Sequence, residues 1–68
     1  MNLFPFRMTK EELIDCIDCA VGENGHAIVG WTAYWWASEL NCYVNMGTFI
    51  KLKDQEKWLE GKEVELLS

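Results

Sequence analysis

No run of Lys and Arg, no long apolar stretch and no even set of cysteines occurs in this chain. Six basic residues against eleven carboxylates leave a formal charge of −5. That field repels nucleic-acid backbones and anionic lipid, so neither direct DNA or RNA binding nor membrane binding is expected. The most apolar stretch, Ala27 to Ala37, is far short of the ~20 residues needed to span a bilayer. The opening Met1-Asn2-Leu3-Phe4-Pro5-Phe6-Arg7 lacks the charged leader, apolar region and cleavage site of a secretion signal, and a cytoplasmic location is expected. An odd set of cysteines, Cys16, Cys19 and Cys42, fits a reducing compartment better than a disulfide framework. No glycine-rich phosphate loop with its lysine is present, and Ser38, Ser68 and His26 form no nucleophile arrangement. Catalytic residues are therefore not assigned, and an enzyme is not expected.

What remains is a short chain rich in apolar and aromatic residues. Its 68 residues form a single domain, 1–68, and a domain of this size buries only ~60% of its extended-chain surface. Contact with a partner protein, or homodimerisation, would add to its stability. Half the residues are hydrophobic and four are Trp, enough to build a core rather than a disordered chain. Charge is uneven: residues 26–50 carry only Glu39, whereas an acidic segment precedes them and a mixed-charge segment follows.

The acidic segment predicts a helix from Lys10 to Val21. Thr9 and Glu12 have the spacing of a capping box, and Met8 and Leu13 that of a hydrophobic staple. Leu13, Ile14, Ile17, Ala20 and Val21 recur at helical intervals, with Glu11, Asp15 and Asp18 opposite. Asn24-Gly25 reads as a tight turn. From Ala27 to Trp36 the aromatic and β-branched content favours one strand over a helix. Val29, Trp31, Ala33 and Trp35 then share one face, and Ile28, Gly30, Thr32, Tyr34 and Trp36 the other. Ser38 to Asn41 makes a turn into a second strand, Cys42 to Leu52, in which Val44, Met46, Thr48, Ile50 and Leu52 look core-facing and Gly47 permits a bulge. Asp54 to Leu59 forms a short helix capped by Asp54 and ended by Gly61. Lys62 to Leu67 forms a last edge strand with Val64 and Leu66 inward. The expected fold is α+β: an N-terminal amphipathic helix packed on a small three-stranded antiparallel sheet, with a short helix before the last strand.

Two constellations carry functional meaning. The first is a partner-binding surface of Glu11, Asp15 and Asp18 with Tyr34, Trp36 and Glu39, assisted by Glu12 and Glu23. Aromatic rings supply large rigid contact areas, and carboxylates steer the surface toward a basic site. This makes the chain a small acidic protein-interaction domain. An inhibitor that occupies the basic groove of a nucleic-acid-processing protein is the concrete form, and compact acidic inhibitors carried by viruses or mobile elements are an analogy in scale and charge only. The second constellation is Cys16, Cys19, His26 and Cys42, four soft ligands in the number a structural zinc takes, which would make the chain a zinc-stabilised adaptor. Without it no cofactor is expected. Against dithiol redox chemistry, Asp15 and Asp18 beside the Cys16 and Cys19 thiols disfavour the thiolate.

Overall fold

The computed structural model describes residues 5–67. An antiparallel sheet of six strands organises them: β1 (Arg7–Met8), β2 (Cys19–Val21), β3 (His26–Val29), β4 (Thr32–Ala37), β5 (Cys42–Phe49) and β6 (Leu66–Leu67), with helices α1 (Lys10–Ile14) and α2 (Lys53–Leu59). The spatial order is β1-β5-β4-β3-β2, and β6 also pairs with β5. Strands β2 to β5 are a meander of hairpins. The outer edge of β5 is shared, β1 taking Tyr43 and Val44 and β6 taking Thr48 and Phe49.

This corrects the expected single helix over three strands. Helix α1 begins as its capping box predicts: the Thr9 hydroxyl accepts from the Glu12 amide at 3.1 Å, and the Glu12 carboxylate accepts from the Thr9 amide at 2.8 Å. It ends at Ile14, not Val21. Asp15, Ile17 and Asp18 are poor helix formers, and of the anticipated apolar stripe Leu13 is sealed while Ile17 is 98% exposed. Cys16 Sγ donates to the Glu12 carbonyl at 3.3 Å, supplying a partner to an acceptor at the helix end. The chain then extends, and Cys19, Ala20 and Val21 pair with Val29, Ile28 and Ala27. Strand pairing with β3 outweighs the local periodicity.

The second correction concerns residues 27–36, which form two strands. Gly30, with φ +60°, and Trp31 make a two-residue turn between the paired Val29 and Thr32. Positive φ at the first central position is the pattern of a type II′ hairpin turn. In β5 the anticipated inward set is also displaced. Ala33 opposes Gly47 and Tyr34 opposes Asn45, which leaves Met46 as the extra residue of a bulge. The side-chain phase changes there, so Tyr43 and Phe49 are buried while Met46, Ile50 and Leu52 are exposed. A Cβ on Gly47 would lie 2.5 Å from the Leu67 carbonyl oxygen, so only glycine lets β6 approach at that point.

Alternation along the strands divides the core between the two sheet faces. On the α1 face, Met8, Leu13, Ala27, Val29, Tyr34 and Tyr43 cluster, with Cys16, Cys19 and Trp36 at the margin. On the α2 face, Ile28, Ala33, Phe49 and Trp58 cluster, joined by Ala20, Leu59, Val64 and Leu66. Among the described residues no helix is long and apolar enough to cross a membrane.

Candidate functional site

The α2 face carries an open groove of about 510 Å³, within the size range of small-ligand and side-chain pockets. Its construction begins at the β2–β3 hairpin. Asn24 (φ +52°) and Gly25 (φ +78°) supply the two left-handed residues of a type I′ turn, closed by the His26 amide donating to the Glu23 carbonyl at 3.0 Å. The hairpin tip is pinned to the end of α2, where the Glu23 amide donates to the Leu59 carbonyl at 2.8 Å. Gly22 lies against the Leu59 backbone so closely that any Cβ there would overlap it.

That docking sets His26 beside Trp58, with ring centroids 4.2 Å apart at an interplanar angle of 69°. The Trp58 indole N–H donates to the Ala27 carbonyl at 2.9 Å and to the Tyr34 carbonyl at 3.3 Å, fixing the ring across β3 and β4. His26 Nδ1 is 2.9 Å from the Glu23 carbonyl oxygen and 3.2 Å from that of Asn24. Both partners are acceptors, so Nδ1 carries a proton. His26 is itself buried, at 9% exposure, where it lines the groove. Trp35 lies opposite His26 across the β3–β4 pair, and the bulged Met46 extends the same wall. Gly61 (φ +84°) ends α2 and turns the chain back toward β6, bringing Glu63, Val64 and Leu66 to the opposite rim. Trp35 and Met46 remain 43% and 42% exposed, respectively.

The partner-binding residues expected from the sequence fall in different places. Tyr34 is sealed, at 0% exposure, and its hydroxyl donates to the Pro5 carbonyl at 2.8 Å. Burial raises its phenol above the ordinary tyrosine pKa, the neighbouring Cys16 raises it further, and a hydrogen bond with Asn45 opposes both. Trp36 is half-buried and packs edge-on to Tyr43 at 5.0 Å. These two rings therefore close the α1-face core instead of forming a recognition patch, because the hairpin at Gly30 turns Trp31 and Trp35 outward. Trp31 is 48% exposed. Glu11, Asp15, Asp18 and Glu39 are exposed, but the early end of α1 removes the common helical face expected for the first three. Glu12 is engaged in the capping box and Glu23 is exposed in the β2–β3 turn.

The four soft ligands do not converge. Cys16 and Cys19 border the α1-face core, His26 packs on Trp58 of the α2 face, and Cys42 is buried at the start of β5. Among the described residues no three His, Cys, Asp or Glu side chains are grouped to hold a metal ion. The groove residues His26, Met46 and Glu63 were not read from the sequence as a partner-binding set. The usable signal was the hairpin pair Asn24-Gly25 and Gly30-Trp31, which together place Trp35 opposite His26.

No protein-family model, no curated protein and no solved structure matches the chain.

Proposed function

We propose that the chain is a small acidic protein-interaction domain whose recognition surface is the α2-face groove. One observation carries this reading: Trp35 and Met46 stand half-exposed along an open groove that the buried Trp58 also lines. Half-exposed Trp beside a preformed depression is the kind of anchor that dominates protein interfaces. Capture of partners from cells of the source organism tests it, comparing wild type with Trp35→Ala and with the double charge reversal Asp15→Lys and Asp18→Lys. A partner lost with Trp35→Ala and kept by the charge reversals supports the groove. A partner indifferent to Trp35→Ala counts against it.

A second reading rests on a different surface. Glu11, Asp15 and Asp18 are exposed beside Ile14 and Ile17, which are 53% and 98% exposed. Carboxylates interleaved with apolar contacts suit the basic groove of a nucleic-acid-processing protein, which such a domain would block. Binding that weakens steeply with salt and is abolished by the charge reversals favours this inhibitor reading.

A further inference from the structure

We infer that Cys16 and Cys19 form a redox-modification site: a low-molecular-weight disulfide oxidises the pair to an intramolecular bond that fixes the turn between α1 and β2. The site lies apart from the α2-face groove and does not depend on how that groove is used.

Position supplies the first argument. Because α1 ends at Ile14, Ile17 and Asp18 make the turn that leads into β2, and Cys16 and Cys19 stand at its two ends. The end Cα atoms of a four-residue turn lie within about 7 Å, and bridged cysteines have Cα atoms about 4.4–6.8 Å apart. Both thiols are free and half-buried, and both side chains pack against one cluster, that of Leu13, Val29 and Tyr34. Their sulfurs also meet the same end of α1. Cys16 Sγ donates to the Glu12 carbonyl at 3.3 Å and Cys19 Sγ to the Ile14 carbonyl at 3.5 Å. A thiol is a weak donor, so oxidation gives up little in releasing these two carbonyls to water.

Topology removes the third cysteine. Cys42 begins β5, and β3 and β4 lie between that strand and β2. Three strand spacings of about 4.8 Å put it about 14 Å from Cys19, beyond the reach of a bridge. Its neighbour Tyr43 belongs to the α1-face cluster, so alternation aims Cys42 at the other face, away from Cys16 as well. Of the three pairings open to three cysteines, the fold permits one.

The bond forms by exchange. One cysteine thiolate attacks the small disulfide and expels a thiolate, and the second cysteine attacks the resulting mixed disulfide and expels the other. Cys16 and Cys19 together give up two protons and two electrons, and the small disulfide leaves as two thiols. Both sulfurs sit at a helix C-terminus, not at the N-terminus that makes a cysteine a fast nucleophile, so the pair is a slow two-state modification and not a turnover centre. The closed ring holds Ile17, which is 98% exposed, and Asp18, so oxidation fixes the tip of the acidic segment.

Equilibration of the full chain with mixtures of oxidised and reduced glutathione, followed by acid quenching and mass mapping of the cysteine peptides, tests the inference. A Cys16–Cys19 bond with Cys42 left as a thiol is expected. Repeating the titration in urea separates the fold from the spacing, because cysteines three residues apart also bridge in an unfolded chain. The equilibrium constant for the bond should be at least about tenfold larger in the folded chain, and the oxidised chain should exceed the reduced one in folding equilibrium constant by the same factor. Cys16→Ser should leave Cys19 and Cys42 unbridged, and Trp35→Ala should leave the constant unchanged. A bond to Cys42, a bond between chains, glutathione adducts persisting on Cys16 or Cys19 in the wild type, or equal constants with and without urea would overturn the inference.

Discussion

Both faces of the sheet are covered by a short helix, and the two coverings end differently. On the α1 face, Leu13 clusters with Val29 and Tyr34, Trp36 packs against Tyr43, and the three largest sealed side chains among the described residues, Tyr34, Leu13 and Val29, all lie there. On the α2 face, Trp58 fills the centre, but the chain from Gly61 to Leu66 passes beside it and leaves a groove against Trp35 and Met46. Ring placement makes the difference. Neighbouring residues of β4 point to opposite faces, so Trp36 becomes cover and Trp35 becomes rim. A domain this small can close one face over its core and leave the other shaped for contact.

The sharpest way to break that comparison is to remove the floor of the groove. Trp58→Ala deletes a buried ring and its two hydrogen bonds, and a loss of about 3–5 kcal/mol is expected. That is comparable with the whole stability of a domain this size. Urea unfolding followed by circular dichroism should show little folded protein at 25 °C. Leu13→Ala attacks the other face, and about 3 kcal/mol should disappear from the same measurement. Partner binding by whatever fraction stays folded should be normal, because Leu13 is remote from the groove.

A subtler change separates packing from polarity. Tyr34→Phe keeps the ring and removes the bond to Pro5, and about 1 kcal/mol is expected at neutral pH. Because the folded state holds the Tyr34 phenol above its ordinary pKa, folded protein retains the proton longer than unfolded chain does. The associated stability is complete below the ordinary value and falls as pH rises from there through the folded value. Urea midpoints compared at about pH 9 and about pH 11 should fall further for wild type than for Tyr34→Phe. Equal falls would show that Tyr34 is not the group responsible. The smallest stability effect belongs to Trp35→Ala, less than about 1 kcal/mol at a half-exposed position. Trp36→Ala, one residue away but packed on Tyr43, should be the more destabilising of the two while retaining partner binding.

How much of this was legible beforehand follows the range of the interactions. The Thr9–Glu12 cap, the turns at Asn24-Gly25 and Ser38–Asn41 and the stop at Gly61 are settled by neighbours in the chain and occur where the sequence places them, whereas the edge strand expected over Lys62 to Leu67 pairs only at Leu66–Leu67. The extent of α1 was not legible, because the Leu13–Val21 periodicity fits a helix and only pairing with β3 draws Cys19–Val21 into the sheet. Nor was the choice of exposed rings. It depends on the hairpin at Gly30, and the shape of the groove depends further on the one-residue bulge at Met46; each changes which side chains share a face. An unbroken strand sets Trp31 with Trp35 on one face and Tyr34 with Trp36 on the other, and does not decide which pair is exposed.

Hydroxyl-radical footprinting of the chain, free and with a captured partner, addresses most directly whether recognition uses the α2 face. Trp and Met side chains report their own exposure in such an experiment, and Trp35 and Met46 should become protected while Ile14 and Ile17 stay as reactive as in the free chain. Protection confined to Ile14 and Ile17, with Trp35 and Met46 unchanged, would contradict the account and place recognition on the acidic segment.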